Sequence, residues 1–212
     1  MGVNKLVNLP VYFLLFVCIA TSAWAQEKEQ KPFIYGQFGA EGGNYGGFTL
    51  AGTYVFPSKY VLQVGYKALV SNAEERPSDY QAGTFDFFTL GLSSAKDTYT
   101  IVHASFGKIL ELKNHPKTRF NILGGVGVSF SNFATNFEDT GSAFGLVSNY
   151  TFDTENSTAV FFIIQPKVEF CLSQHHGIAV GPVIKLSERE NLFGLSVNYI
   201  VGRLRNTIET SQ

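Results

Sequence analysis

The sequence predicts an all-β chain: eight antiparallel strands closed in up-and-down order into a transmembrane β-barrel. Three observations predict it. From Phe33 onward apolar residues recur with period two, and no segment keeps the i, i+3, i+4, i+7 spacing of a helix. The second face of each segment is small and polar instead of densely charged, which is the wrong composition for the solvent face of a soluble sandwich. Finally, the 212 residues are 45% hydrophobic and 15% aromatic but only 16% charged, with 21 Gly and no long apolar run outside the N-terminus. That composition excludes disordered and collagen-like chains. With 16 basic against 17 acidic residues the net charge is -1, so there is no basic footprint for nucleic acid.

Met1 to Ala25 reads as a secretory signal peptide, cleaved in the mature protein. Lys5 stands in a short polar stretch, Val11 to Ala20 is apolar, and Ala23-Trp24-Ala25 supplies a small-residue cleavage site immediately before Gln26. The apolar run is too short to cross about 30 Å of hydrocarbon comfortably as a helix. Leu15-Phe16-Val17 lacks the small residue that a lipoprotein peptidase requires next to Cys18. Cleavage removes the only Met, the only Trp and Cys18, so Cys171 can form no disulfide within the mature chain. A secreted enzyme stapled by disulfides is thereby excluded. Residues 26–32 form a polar leader, 33–202 the barrel and 203–212 a polar C-terminal tail.

The strands are expected at Phe33–Glu41, Gly47–Phe56, Lys59–Val70, Thr98–Leu112, Thr118–Asn132, Thr158–Leu172, Gly177–Leu186 and Asn191–Gly202. Each alternates. In the second, Phe48, Leu50, Tyr54 and Phe56 oppose Gly47, Thr49, Ala51 and Thr53; in the sixth, Val160, Phe162, Ile164, Val168 and Phe170 oppose Phe161, Ile163, Gln165, Lys167 and Glu169. Aromatic and aliphatic residues on one face and Gly, Ser, Thr, Asn and Gln on the other fit a wall turned to lipid around a polar interior. Closure removes the edges that such greasy strands would otherwise offer each other. Short connections at Pro57-Ser58, Lys113 to Lys117 and Ser173 to His176 alternate with Gly42 to Gly46, Ser71 to Asp97, Phe133 to Ser157 and Ser187 to Glu190. Both termini and the short turns then lie at the periplasmic end. Thr84 to Leu92 alternates too, but a ninth strand would break the even count, so it is placed within the second outer loop.

The signal peptide, the eight alternating strands and the sequence of short and long connections resemble the small outer-membrane β-barrels, the class of OmpX and the transmembrane domain of OmpA. Pro77-Ser78-Asp79-Tyr80, then Gly83, Lys96-Asp97 and Gly107-Lys108, are similar to a family of outer-membrane β-barrel domain proteins. The resemblance implies export to the bacterial outer membrane, contact with outer-membrane lipid and lipopolysaccharide, and insertion by the barrel-assembly machinery. The family's usual chain end is an aromatic residue closing the last strand; here Arg203 to Gln212 follows, and that signal falls to Tyr199 inside the chain.

An eight-stranded barrel is just wide enough to be filled by side chains. The inward set Gln37, Glu41, Gln63, Lys67, His103, Arg119, Asn121, Gln165, Lys167, Glu169 and Lys185 carries both signs. Buried charges must be paired, which reads as a hydrogen-bonded plug; the competing reading is a narrow conduit or small-ligand site. His103-Ala104-Ser105 is similar to the H-x-S arrangement of the lipid A deacylase barrel, which makes His103 and Ser105 the catalytic candidates. Their facing is inward, away from lipid, and Glu111, the nearest acid on that face of the strand, is far along it. His175-His176 lies in a tight turn, and Glu138-Asp139 with Asp153-Thr154-Glu155 gather carboxylates at the ends of the third outer loop, without the spacing of a dedicated calcium loop. No metal site and no cofactor is expected. Phe133, Phe137, Phe144 and Phe152 stud that loop, marking a partner surface or a cover over the barrel mouth. The expected function is that of a non-enzymatic integral outer-membrane barrel displaying its outer loops for envelope structure, adhesion or an unidentified extracellular partner. The alternatives are transport or ligand binding through the lumen, a lipid-modifying enzyme, and a soluble periplasmic sandwich or lipocalin-like barrel.

Overall fold

The structure, a computed structural model, describes residues 31–81, 94–112, 115, 117–141 and 148–204. The signal peptide, Thr84 to Leu92 and residues 205–212 of the tail lie outside them. Eight strands follow one another: β1 (Phe33–Gly43), β2 (Gly46–Val55), β3 (Tyr60–Asn72), β4 (Lys96–Glu111), β5 (Thr118–Asp139), β6 (Tyr150–Cys171), β7 (His176–Leu186) and β8 (Asn191–Gly202). Each pairs antiparallel with its chain neighbour, and β1 pairs with β8 from Tyr35 against Gly202 to Gly43 against Gly194. The sheet is therefore a closed barrel in the order β1 to β8.

The alternation decides which face turns inward. Phe161 is 2% exposed and its neighbour Phe162 61%, so one residue of register separates lumen from exterior. Inward positions are odd-numbered from Tyr35 in β1 to Lys185 in β7, and the β7 to β8 turn shifts them to even numbers, giving Leu192, Ser196, Asn198 and Ile200. The exterior carries Phe38, Phe48, Leu50, Val64, Val102, Phe106, Ile122, Val126, Phe130 and Leu195, all exposed. Lys, Glu, Gln and Asn side chains, meanwhile, are buried inside. A soluble barrel has the reverse distribution, and a wall of this composition is matched by hydrocarbon.

Two departures from the sequence reading concern length and layering. β5 and β6 each run to 22 residues, so strand pairing continues through Phe133 against Glu155 and on to Asp139 against Tyr150. The expected ends at Asn132 and Thr158 are too short, because a second apolar cluster outside the barrel supports the extension. There Ala73, Ala95 and Ala134 pack with Tyr80, Phe137 and Phe152. A bulge between Thr135 and Glu138, with Asn136 at φ 52°, bends the ribbon.

The lumen, for its part, is not uniformly small and polar. Near the termini Tyr35, Val55, Val61, Ile109, Leu123 and Ile200 form one apolar layer, closed by Leu204. Near the longer loops Tyr45, Leu69, Tyr99, Ile101, Phe161 and Leu192 form another. Buried polar and charged residues occupy the lumen together with them. Gly202, at φ 134° and packed against Tyr35, allows the chain leaving β8 to turn under the barrel so that Leu204 reaches the lower layer.

Among the described residues the barrel's ladders have one break. The β6 to β7 ladder runs to Ile164 against Ile184 and resumes at Val168 against Val180, with Pro166 and Pro182 in the gap. Neither proline has an N–H to donate. The Ser196 hydroxyl donates to the Gly181 carbonyl across 3.1 Å and satisfies one acceptor beside the gap. Val126, exposed and about midway along the barrel part of β5, is the simplest probe of the exterior. Val126→Arg is expected to destabilise the barrel in lipid vesicles by about 2–4 kcal/mol, read as the shift of its urea unfolding midpoint.

Candidate functional site

Every member of the inward polar set is buried in the lumen. The set resolves into two clusters, each with one carboxylate held between two cations. In the first, Glu41 of β1 receives Lys67 of β3 on Oε1 and Lys185 of β7 on Oε2, the latter at 2.6 Å. Tyr45 completes it: its hydroxyl accepts from Lys185 Nζ at 2.5 Å and donates to Glu41 Oε2 at 3.1 Å. In the second, Glu169 of β6 pairs with Arg119 Nε of β5 at 2.6 Å and more distantly with Lys167 Nζ at 3.7 Å. Asn121 Nδ2 and the Tyr35 hydroxyl both donate to Glu169 Oε1, at 2.8 and 2.9 Å. Arg119 also donates from Nη1 to the Leu204 carbonyl at 2.8 Å, which ties the plug to the chain beyond β8.

Neutral amides join the clusters. Lys167 Nζ donates to Gln37 Oε1 at 2.8 Å and to Gln63 Oε1 at 3.0 Å, and Gln37 Nε2 donates to the same Gln63 oxygen at 2.6 Å. Gln165 Nε2 donates to Ser196 Oγ at 3.3 Å. The arrangement spans strands from β1 to β8 and needs the closed barrel to exist. Sequence reasoning missed Tyr35, Tyr45 and Ser196 as members. The tyrosines read as apolar, and the phase of β8 is fixed only once the preceding turn is known.

The catalytic candidates do not form a reaction centre. His103 faces the lumen and its polar contact is Gln63, Nε2 to Nε2 at 3.5 Å. Ser105, also buried, stands across from Gly125 of β5. Glu111 lies at the far end of β4, half-exposed and paired with Lys59 at 3.1 Å. Imidazole, hydroxyl and carboxylate are therefore not aligned as nucleophile, base and orienting acid, and none of the three faces lipid.

The acids of the third loop are dispersed along the ribbon. Glu155 pairs with Arg189 at 3.0 Å, Asp153 accepts from Asn136 Nδ2 at 3.2 Å, and Asp139 accepts from the Gly141 backbone N–H at 2.8 Å. Among the described residues no three His, Cys, Asp or Glu side chains gather as a metal site. His175 is exposed in its turn, while His176 Nδ1 meets the Tyr199 hydroxyl at 2.7 Å on the barrel exterior.

The motif residues of the second loop fasten the ribbon instead. Asp79 accepts twice from the Tyr150 hydroxyl, at 3.0 and 3.1 Å, and the Tyr80 hydroxyl accepts from the Ala95 N–H at 3.1 Å. Asp97 accepts from the backbone N–H groups of Glu74 and Ala134, at 3.3 and 3.0 Å. Arg189 stacks over Phe133 at 4.1 Å, and Tyr99 donates to Glu190 in the same turn. Burial pushes the Glu190 carboxyl above its ordinary range, and the Tyr99 hydrogen bond opposes that shift. The ribbon is thus supported by contacts to both neighbouring loops.

The fold has solved relatives in structure. A major outer membrane protein from Thermus thermophilus superposes with a TM-score of 0.54 and 12% identity, over 82% of this chain and 100% of the other. Neisserial surface protein A superposes with a TM-score of 0.50 and 9% identity, over 82% and 99% of the two chains. The chain has the fold of the small outer-membrane β-barrels. No protein-family model and no curated protein matches the chain.

Within this barrel, Glu169 is the acid on which the second cluster depends. Glu169→Gln leaves Arg119 and Lys167 buried without their carboxylate and is expected to cost about 3–5 kcal/mol. The check is denaturant unfolding in micelles followed by β-sheet circular dichroism. Ser105→Ala, which removes a hydroxyl outside both clusters, is expected to change the midpoint little.

Proposed function

We propose that this protein is a non-enzymatic integral protein of the bacterial outer membrane that serves as a sealed scaffold for an outward-projecting β-ribbon. The observation that carries the reading is the combination of a filled lumen and a supported ribbon. Apolar residues pack with the charged clusters inside the barrel, and β5 and β6, at 22 residues each the longest described strands, extend as a ribbon on packed aromatic residues. Export follows from the signal peptide ending at Ala25, cleaved before Gln26. The start of β1, the end of β8 and the β2–β3 and β6–β7 turns then face the periplasm, and residues 133–141 and 148–157 face outward. Outer-membrane lipid and lipopolysaccharide surround the wall, and the barrel-assembly machinery inserts it. The ribbon carries Thr, Asn, Asp and Glu on its exposed positions and is suited to adhesion or to a protein partner at the cell surface.

A transporter would need a continuous aqueous path, and the apolar layers oppose one. Two measurements test the reading. In planar bilayers the refolded protein is expected to give no steady single-channel current; a reproducible conductance would favour transport. On intact cells, Thr151→Cys is expected to react with a membrane-impermeant maleimide, because Thr151 is exposed on the ribbon and Cys171 is buried. Labelling only after envelope disruption would reverse the assigned orientation.

A further inference from the structure

The two lumenal clusters share an imbalance. Glu41 meets Lys67 and Lys185, and Glu169 meets Arg119 and Lys167, so two carboxylates face four permanent or ordinary cations. All six residues are buried inside a wall whose exterior is apolar, among apolar residues of the lumen. An uncompensated charge in such a place is costly, and here the surplus is two.

The surplus of the second cluster is concentrated at Lys167. Arg119 takes Glu169 at 2.6 Å, whereas Lys167 stands 3.7 Å from it and is held mainly by the amide oxygens of Gln37 and Gln63. Because Gln63 presents its oxygen to Lys167, its Nε2 donates to His103 Nε2, which places the imidazole proton on Nδ1. That Nδ1 is buried without a hydrogen-bond partner, and so are Arg119 Nη2 and Asn198 Nδ2. Donor groups without acceptors thus occur on β4, β5 and β8 in a lumen whose two clusters have excess positive charge. Asn121 Oδ1, Gln165 Oε1 and Asn198 Oδ1 are also without partners, so water can share the layer.

We propose that the polar layer of the lumen binds a small inorganic anion of the halide class as a structural counter-ion to Lys167, with the His103 Nδ1–H among its donors. The ligand is monatomic or nearly so because the surrounding side chains are all buried, and an anion because the missing charge is negative. This inference rests on the sealed-barrel reading. Failure of the barrel to form in detergent would defeat that reading first, and would be seen before any anion is varied.

The experiment compares the refolded mature protein in sodium chloride and in sodium gluconate at equal ionic strength, gluconate being too large for the layer. The thermal midpoint of the β circular-dichroism signal is expected to lie about 2–5 °C higher in chloride and to rise with chloride concentration. Lys167→Met is expected to abolish most of that difference while retaining the folded barrel; Lys167→Gln serves if the first variant does not refold. Equal midpoints in the two salts for the wild type would overturn the proposal. So would a chloride effect that survives undiminished in the Lys167 variant, since it would then arise at the protein surface.

Discussion

Closure of the sheet between β1 and β8 is the constraint on which the remaining structure depends. In hydrocarbon a backbone N–H or C=O finds no water, so a strand wall persists only if every edge is paired. The β1–β8 ladder, running from Tyr35–Gly202 to Gly43–Gly194, provides that pairing. It also fixes the strand number, and eight strands enclose a lumen that side chains must fill. The break in the β6–β7 ladder at Pro166 and Pro182 is tolerated because it is short and because Ser196 satisfies a carbonyl beside it.

Filling the lumen with polar groups then imposes its own order. Six charged residues from β1, β3, β5, β6 and β7 meet around two carboxylates, and tyrosine hydroxyls and amides take up much of the remaining hydrogen-bonding capacity. Such a network fixes register, since a slip of one residue would carry Lys167 or Glu169 to the lipid face and bring Pro166 or Val168 inside. Apolar residues flank the network. The same arrangement removes His103 and Ser105 from any lipid substrate.

Much of this was legible in the sequence because period two is a strong signal when the two faces differ so sharply. Phe162 beside Phe161 and Lys167 beside Val168 already place the wall, and all eight strands and the inward facing of the charged set follow from that alternation. The pairing within the set was not legible. Glu41 and Lys185 are 144 residues apart, and only barrel closure brings them together. The apolar layers were hidden for a related reason: Val61, Leu69 and Ile163 sit on the polar face of their strands, and a single strand does not show that such residues align in rings. The extension of β5 and β6 depends on Ala73, Tyr80 and Ala95, from a loop whose packing partners lie on another hairpin.

The inside-out assignment of the two strand faces is tested most directly by electrophoresis of the mature chain refolded in detergent micelles, with and without boiling. A closed membrane barrel resists sodium dodecyl sulfate until heated, so the unboiled sample should migrate apart from the boiled one and show β-rich circular dichroism. A chain that folds and stays soluble without detergent, and migrates identically before and after boiling, would contradict a lipid-facing exterior.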